Sequence, residues 1–257
     1  LWVTKQHRQL PDIIYTGRVA ELSRVETDDD EIRLGAAVTV ADAAAALVEE
    51  FSEFDELFMR YGSPPIRNAA TLGGNIANGS PIGDSMPALI ALGTTLVLRR
   101  GEDTRRVALD AFYLSYQETA LDSGEFVQQI AVPRRAAGLE FATYKVSKRF
   151  DQDISAVCAA FAVTRDGARV TEARVAFGGM AATPKRATAC ELALTGGELN
   201  EPSVDTAARA LAQDFQPISD ARASAEYRLT VSQNLLKRFF RERVAGEPAG
   251  IYRYGRA

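Results

Sequence analysis

One histidine, two cysteines and one tryptophan among 257 residues leave little material for several kinds of chemistry. A Ser-His-Asp or Cys-His device would have to rest on His7 alone. That residue sits in a polar K-Q-H-R stretch and reads as surface, so hydrolase chemistry is set aside. Cys158 and Cys190 stand apart, with no C-x-x-C and no histidine nearby. Metal centres and disulfide frameworks need clustered ligands, so neither is expected. An iron–sulfur cluster held by this segment alone would normally need four cysteines. Two buried, reduced thiols in a reducing, cytoplasmic setting fit better.

Long apolar runs and excess positive charge are missing too. No stretch approaches the ~20 apolar residues of a membrane span, and the start, LWVTKQHRQLP, lacks the basic head and apolar body of a signal peptide. A net charge of −4 gives no electrostatic case for nucleic acid or an anionic membrane. Leu1-Trp2-Val3 reads like a strand entered midway, and further sequence is expected upstream.

The chain is rich in alternation. Ile32, Leu34, Ala36, Val38 and Val40 recur with the period of a half-buried strand. Thr39 is placed to cap a following alanine-rich helix, with Asp42 as a weak capping box. Phe54, Leu57, Phe58 and Tyr61 predict a second short helix ending near Gly62, broken by Ser63-Pro64-Pro65. Residues 86–92 read as an apolar helix, 94–99 and the stretch through Val107 as a hairpin, and 126–132 as a strand stopping at Pro133. Residues 133–138 make the best boundary. Beyond them lie strand signals at 141–146, 156–164 and 173–178, with the turn Asp166-Gly167 between the last two. Two helices follow, one with Val204, Ala208, Leu211 and Phe215 on a face, the other with Leu229, Leu235, Leu236, Phe239 and Phe240. Mixed strands and helices with short hairpins predict an α+β fold. It divides into 1–133, a small sheet-plus-helices domain at 139–245, and a tail at 246–257.

The richest chemistry lies in RNAATLGGNIANGSPIGDSMP, residues 67–87. It crowds Gly73, Gly74, Gly79 and Gly83 among Thr71, Asn75, Asn78, Ser80, Asp84 and Ser85. Read as a loop, it offers backbone N–H groups and small polar partners with little bulk, which suits close wrapping of a dinucleotide. Gly-rich, Asn-rich runs are also often mere turns. This one is longer and less charged than a connection needs, and it leads into a helix start. It is neither G-x-G-x-x-G nor a P-loop.

The T-L-G-G-N-I core and the S-P-I-G-D-S-M-P-A-L-I-A-L-G extension resemble the flavin-binding signature of the xanthine dehydrogenase family, within the molybdenum hydroxylases. LEFATYKVSKRFDQDISAV (139–157) and FGGMAATP (177–184) resemble the same family, and the likeness runs from Leu1 to about Arg243. It implies a flavin domain of the vanillyl-alcohol-oxidase/CO-dehydrogenase flavoprotein type followed by a small C-terminal domain. FAD would be held by Thr71, Leu72, Gly73, Gly74 and Asn75, with Ala70 as a small wall. Ser80 and Asp84 would lie near the ribityl and adenosine parts, Asp84 being equally a helix N-cap. Tyr61 matches an aromatic at the adenine end and is equally a core aromatic. Val127 matches a backbone contact, and Lys145 a lysine near the ring or phosphates, or else a surface lysine on a strand edge. Residues 148–153 match a loop over the flavin that influences NAD access, and Tyr116 lines the nicotinamide approach or is core. Family likeness further implies purine hydroxylation at a molybdenum cofactor on a large partner subunit. Electrons would pass through 2Fe-2S clusters of an upstream domain to FAD and then to NAD. Rival readings are a flavoprotein subunit of another molybdenum hydroxylase, of the CO dehydrogenase or aldehyde/nicotinate type, and a non-redox nucleotide-binding module.

Overall fold

Ile32 and Leu34 alternate with charged neighbours and are both buried, and around them the first sheet forms. The computed structural model describes residues 6–10 and 12–246. Strands β1 (Val25–Thr27) and β2 (Glu31–Gly35) make an edge hairpin. The expected strand through Val40 is cut short at Gly35, where the chain turns. Val38 and Val40 are buried all the same, Val40 as the first residue of a helix.

Five helices follow: α1 (Val40–Glu50), α2 (Phe54–Met59), α3 (Pro64–Ala69), α4 (Leu72–Ala77) and α5 (Ser85–Ala91). Thr39 caps α1 by accepting from the Asp42 N–H at 3.1 Å. Its hydroxyl donates to the Asp42 carboxylate at 2.7 Å, a side-chain contact in place of the expected reciprocal capping box. Strands β3 (Thr95–Arg100) and β4 (Asp103–Ala108) form the expected hairpin. A short helix α6 (Leu109–Phe112) and a small hairpin, β5 (Tyr113–Ser115) with β6 (Glu118–Thr119), lead to β7 (Phe126–Pro133). The sheet is antiparallel throughout, in the order β1-β2-β7-β3-β4. Leu34, Leu96, Leu98, Ile130 and Val132 fill one core with Leu47, Phe51, Phe54, Ile76 and Leu89 of the helices.

After residues 134–138 comes a second antiparallel sheet, made of β8 (Leu139–Val146), β9 (Val157–Asp166), β10 (Arg169–Gly178) and β11 (Lys185–Arg186). Its order is β11-β10-β9-β8. Helices α7 (Thr188–Leu194), α8 (Glu201–Asp214) and α9 (Ala225–Arg243) cover one face with Leu194, Leu211, Leu236 and Phe239. The opposite face, through Phe141, Cys158, Ala160, Ala162 and Ala176, joins the first core and lies against α5. Burial on both faces explains why residues 157–163 read as an unbroken apolar run. The mixed architecture with antiparallel sheets is the expected α+β class. Leu1-Trp2-Val3 and the tail from 247 lie outside the described residues; His7 is exposed. No helix among the described residues is long and apolar enough to cross a membrane.

Candidate functional site

The run 67–87 is not one loop. Its first residues end α3, which Pro64 and Pro65 open at positions where a missing N–H is harmless, and its glycine pair lies inside α4. Helix α4 forms despite two poor helix formers because tertiary contacts settle the matter. Thr71 caps it by accepting from the Gly74 N–H at 3.1 Å. Leu72 N donates to Val38 O at 3.0 Å, and Val40 N to Ala70 O at 2.8 Å. Gly73 is pressed on the turn after β2, where a Cβ would come within 2.5 Å of Ala36 O. Gly74 faces outward and is exposed; a Cβ there would meet only Thr71 Oγ1 within 4 Å.

Past α4, Gly79 takes a left-handed φ of 62° and reverses the chain. Ser85 Oγ donates to Asn75 Oδ1 at 2.6 Å, tying α5 back to α4. Asp84 precedes α5 where the sequence makes it a candidate N-cap, and this is corrected: it has helical dihedrals (φ −79°, ψ −27°) and caps nothing. Its carboxylate turns instead to the second sheet. Lys145 Nζ donates to Asp84 Oδ2, and Ser155 Oγ donates to Oδ1 at 2.5 Å. Lys145 is thus no surface lysine: its side chain is 2% exposed.

These ties surround a cavity of about 420 Å³. Tyr61, Asn75, Ser80, Asp84 and Lys145, five of the expected binding residues, line it together. Ala70, Thr71, Leu72, Gly73 and Gly74 build α4 and its approach, beside the cavity and not in its wall. Val127 lies in β7 opposite Leu98, buried in the first core. Tyr116 is 60% exposed on the β5–β6 hairpin. The expected FAD-holding set left out Asn78 and the aliphatic walls Ile66, Ile82 and Ile154. It also missed Ser155, although Lys145 and Ser155 bracket the charged segment 148–153 on either side. That segment reaches the cavity through Gln152 and Asp153.

The electrostatics are nearly neutral. Lys145 is matched by Asp84 and also donates to Asp153 O at 2.9 Å. The Asp153 carboxyl is held below its ordinary range chiefly by the Arg149 N–H, which donates to it at 2.8 Å. Burial first, and the nearby Asp84 charge second, push the Tyr61 phenol up to about 12, so it stays a neutral hydroxyl. Among the described residues no unmatched cation lines the cavity. The arrangement can take neutral polar groups between aliphatic walls, and it is a poor seat for a bare phosphate. Cys158 lies below, its Sγ donating to Asp84 O at 3.4 Å, and burial pushes the thiol well above its ordinary value. Among the described residues no group of three or more histidine, cysteine or carboxylate side chains could hold a metal ion.

Comparison with known proteins locates this architecture. The family described as the FAD binding domain in molybdopterin dehydrogenase matches residues 1–135, and the CO dehydrogenase flavoprotein C-terminal domain matches residues 142–243. The carbon monoxide dehydrogenase medium chain of Afipia carboxidovorans is 30% identical over 223 residues, covering 86% of this chain and 77% of that one. Xanthine dehydrogenase of Emericella nidulans is 29% identical over 244 residues, covering 89% of this chain. Only 18% of that relative's length is spanned. The solved carbon monoxide dehydrogenase from Hydrogenophaga pseudoflava superposes with a TM-score of 0.83 at 28% identity, over 90% of this chain and 81% of its own.

Proposed function

This chain belongs to the FAD-binding family of molybdopterin dehydrogenases, and from that premise we propose that it is the FAD-carrying part of a xanthine dehydrogenase. Xanthine or hypoxanthine would be hydroxylated to urate at a molybdenum cofactor on a large partner subunit. Electrons would travel through 2Fe-2S clusters of an upstream domain to this chain and on to NAD, in a cytoplasmic hetero-oligomer. The observation that carries the reading is the S-P-I-G-D-S-M-P extension. Its Ser80, Ile82, Gly83 and Asp84 line the cavity, and Asp84 fixes the ends of the 147–156 connection above it.

The donor set fits part of FAD. Ribityl hydroxyls and the polar edge of an isoalloxazine ring are neutral, and Tyr61, Asn75, Asn78 and Ser80 supply matching donors and acceptors. Ile66, Ile82 and Ile154 supply apolar walls for the ring. With no unmatched cation among the described residues of the cavity, the pyrophosphate is assigned to the outer face of α4 at Gly74, together with sequence upstream. When bound, FAD supplies the exchange between single electrons from iron–sulfur clusters and a hydride for NAD. The chain's own residues bind and orient it, and none need act as a general acid or base. Thr71, Leu72, Gly73 and Ala70 shape the helix that bears Gly74, and Val127 of β7 shares the first core with Leu72 of that helix.

A second reading keeps the flavin and changes the distant substrate. Identity to the carbon monoxide dehydrogenase medium chain, 30%, is no lower than to the xanthine dehydrogenase, 29%. The test is anaerobic absorbance of the purified complex. A flavin band bleached both by xanthine and by NADH is the expected result. Bleaching by carbon monoxide but not xanthine selects the second reading, and an intact complex without flavin refutes both.

A further inference from the structure

Residues 147–156 connect β8 to β9 and bring Gln152, Asp153 and Ile154 to the cavity. Inside the segment the Arg149 N–H donates to Asp153 Oδ2 at 2.8 Å, Arg149 Nη2 to Gln152 O at 3.1 Å and Ser147 Oγ to Arg149 O at 2.8 Å. Gln152 holds a left-handed φ of 50°, which a residue with a side chain adopts at a cost. Further restraints come from elsewhere in the chain, one of them Lys148 Nζ, which donates to Ala221 O at 2.9 Å. Its two ends meet on Asp84, through Lys145 and Ser155. Its span meets Arg60, the residue just after α2.

Arg60 is 6% exposed, so its guanidinium must find partners or suffer the cost of an unmatched buried cation. One partner is local: Nη1 donates to Glu56 Oε1 at 3.1 Å. The other three lie across the seam. Nη1 donates to Lys145 O at 2.7 Å, Nη2 to Ser147 Oγ at 3.2 Å and Nε to Phe150 O at 2.9 Å. The Phe150 ring also stands 5.7 Å from the guanidinium carbon, within cation–π range. A planar fork of five donors can serve these acceptors together, and a lysine ammonium cannot.

We propose that Arg60 is a positioning residue that latches the 147–156 connection over the cavity. By holding Lys145 O it fixes the strand end that carries the Lys145 ammonium to Asp84. By holding Ser147 and Phe150 it sets how far the roof can lift. Asp84 anchors the ends, and Arg60 holds the span together with Lys148, so losing Arg60 loosens the roof while its hinges stay tied. The consequence for a bound flavin rests on the function proposed above; the latch itself does not.

Limited trypsin digestion of the full chain tests it, with mass spectrometry reading cleavage after Lys148 and Arg149 against cleavage after Arg100 in the β3–β4 turn. Replacing Arg60 removes hydrogen bonds from a charged donor, and local opening follows the bonds lost. In Arg60→Met the 148/149-to-100 cleavage ratio rises at least about tenfold, with the far-ultraviolet spectrum unchanged. Arg60→Lys keeps the charge without the fork and raises the ratio in the same direction; it carries the test if Arg60→Met does not fold. A ratio within about twofold of wild type, or equal acceleration at both sites, overturns the latch. Iodide quenching of bound flavin gives the second measurement and rises in Arg60→Met. A selective rise in cleavage with no flavin in either protein upholds the latch and refutes the proposed cofactor.

Discussion

Gly73 and Gly74 are neighbours in one short helix, yet their substitution should fail in opposite ways. At Gly73 a new Cβ would stand 2.5 Å from Ala36 O, 2.6 Å from Ala36 Cβ and 2.7 Å from Ala36 Cα. Ordinary contacts lie at about 3.5–4.0 Å, so α4 and the turn after β2 must part by about 1 Å. Two backbone segments have no rotamer to yield. Overpacking of this kind costs about 1–3 kcal/mol, offset in part by the ~1 kcal/mol that alanine gains over glycine in a helix. Gly73→Ala should therefore lower stability by up to about 2 kcal/mol, or up to roughly 8 °C in melting temperature for a chain of this size. At Gly74 the only neighbour is the rotatable Thr71 hydroxyl at 2.8 Å, and the position is exposed. Gly74→Val should leave stability within about 1 kcal/mol while abolishing flavin retention, because the side chain occupies the face assigned to the cofactor. Thermal melts and flavin content of both variants make the check. A Gly73→Ala variant more stable than wild type, as helix propensity alone would give, would refute the close-contact argument, and normal flavin content in Gly74→Val would refute the cofactor's seat.

Three further outcomes follow from paired and buried groups. Lys145→Met leaves the Asp84 carboxylate buried with Ser155 but no cation, which should cost about 3–5 kcal/mol in urea unfolding. The double variant with Asp84→Asn should recover much of that, and no recovery would mean the two do not act as a pair. Burial raises Asp220, but the Arg222 and Ala223 N–H groups and the Arg228 guanidinium, at 2.8, 3.1 and 2.7 Å, outweigh it and hold the carboxyl at about 2. A depressed folded value means stability that is present above about pH 4 and lost as pH falls toward 2, so Asp220→Asn should flatten the acid limb of the melting profile in that window. Cys158 and Cys190 are both buried with thiol values pushed up by burial. Neither should react with a thiol reagent before global unfolding, and a fast-reacting thiol in the native protein would contradict the packing.

Local signals carried most of the element list. Period-two alternation at Ile32 and Leu34, the Asp166-Gly167 turn and the apolar stripe of α9 each act over a few residues, and each is where the sequence puts it. Two kinds of feature were not legible. Composition made 67–87 look like loop, because Gly73 and Gly74 disfavour helix; Ala36, more than thirty residues upstream, requires the first of them. Side-chain destinations were hidden as well. Asp84 stands at a helix start, and only a lysine 61 residues downstream draws its carboxylate away. Arg60 has no local pattern that points to Lys145, Ser147 and Phe150, which lie 85, 87 and 90 residues on. The family resemblance pointed to the run 67–87, part of which lines the cavity, and the long-range pairs set the cavity's electrostatics.

Those pairs also explain why the cavity sits where it does. Tyr61, Asn75 and Ser80 come from the first unit, while Lys145, Gln152 and Asp153 come from the second. The seam between the units is α5, whose start is Asp84 and whose last turn is held by Arg174 of β10, donating to Ile90 O at 3.1 Å. Small residues let the layers close: Ala160, Ala162 and Ala176 pack in the core shared with α5. Gly178, the last residue of β10, lies so near Pro87 that a Cβ would stand 3.2 Å from its Cγ, and Gly179 N donates to Pro81 O at 2.8 Å. The FGGM motif is therefore a seam motif, and the SPIGDS extension is the strand of chain it grips. A cavity divided between two units keeps its geometry only while that grip holds, so residues outside its lining set how firmly the lining is held.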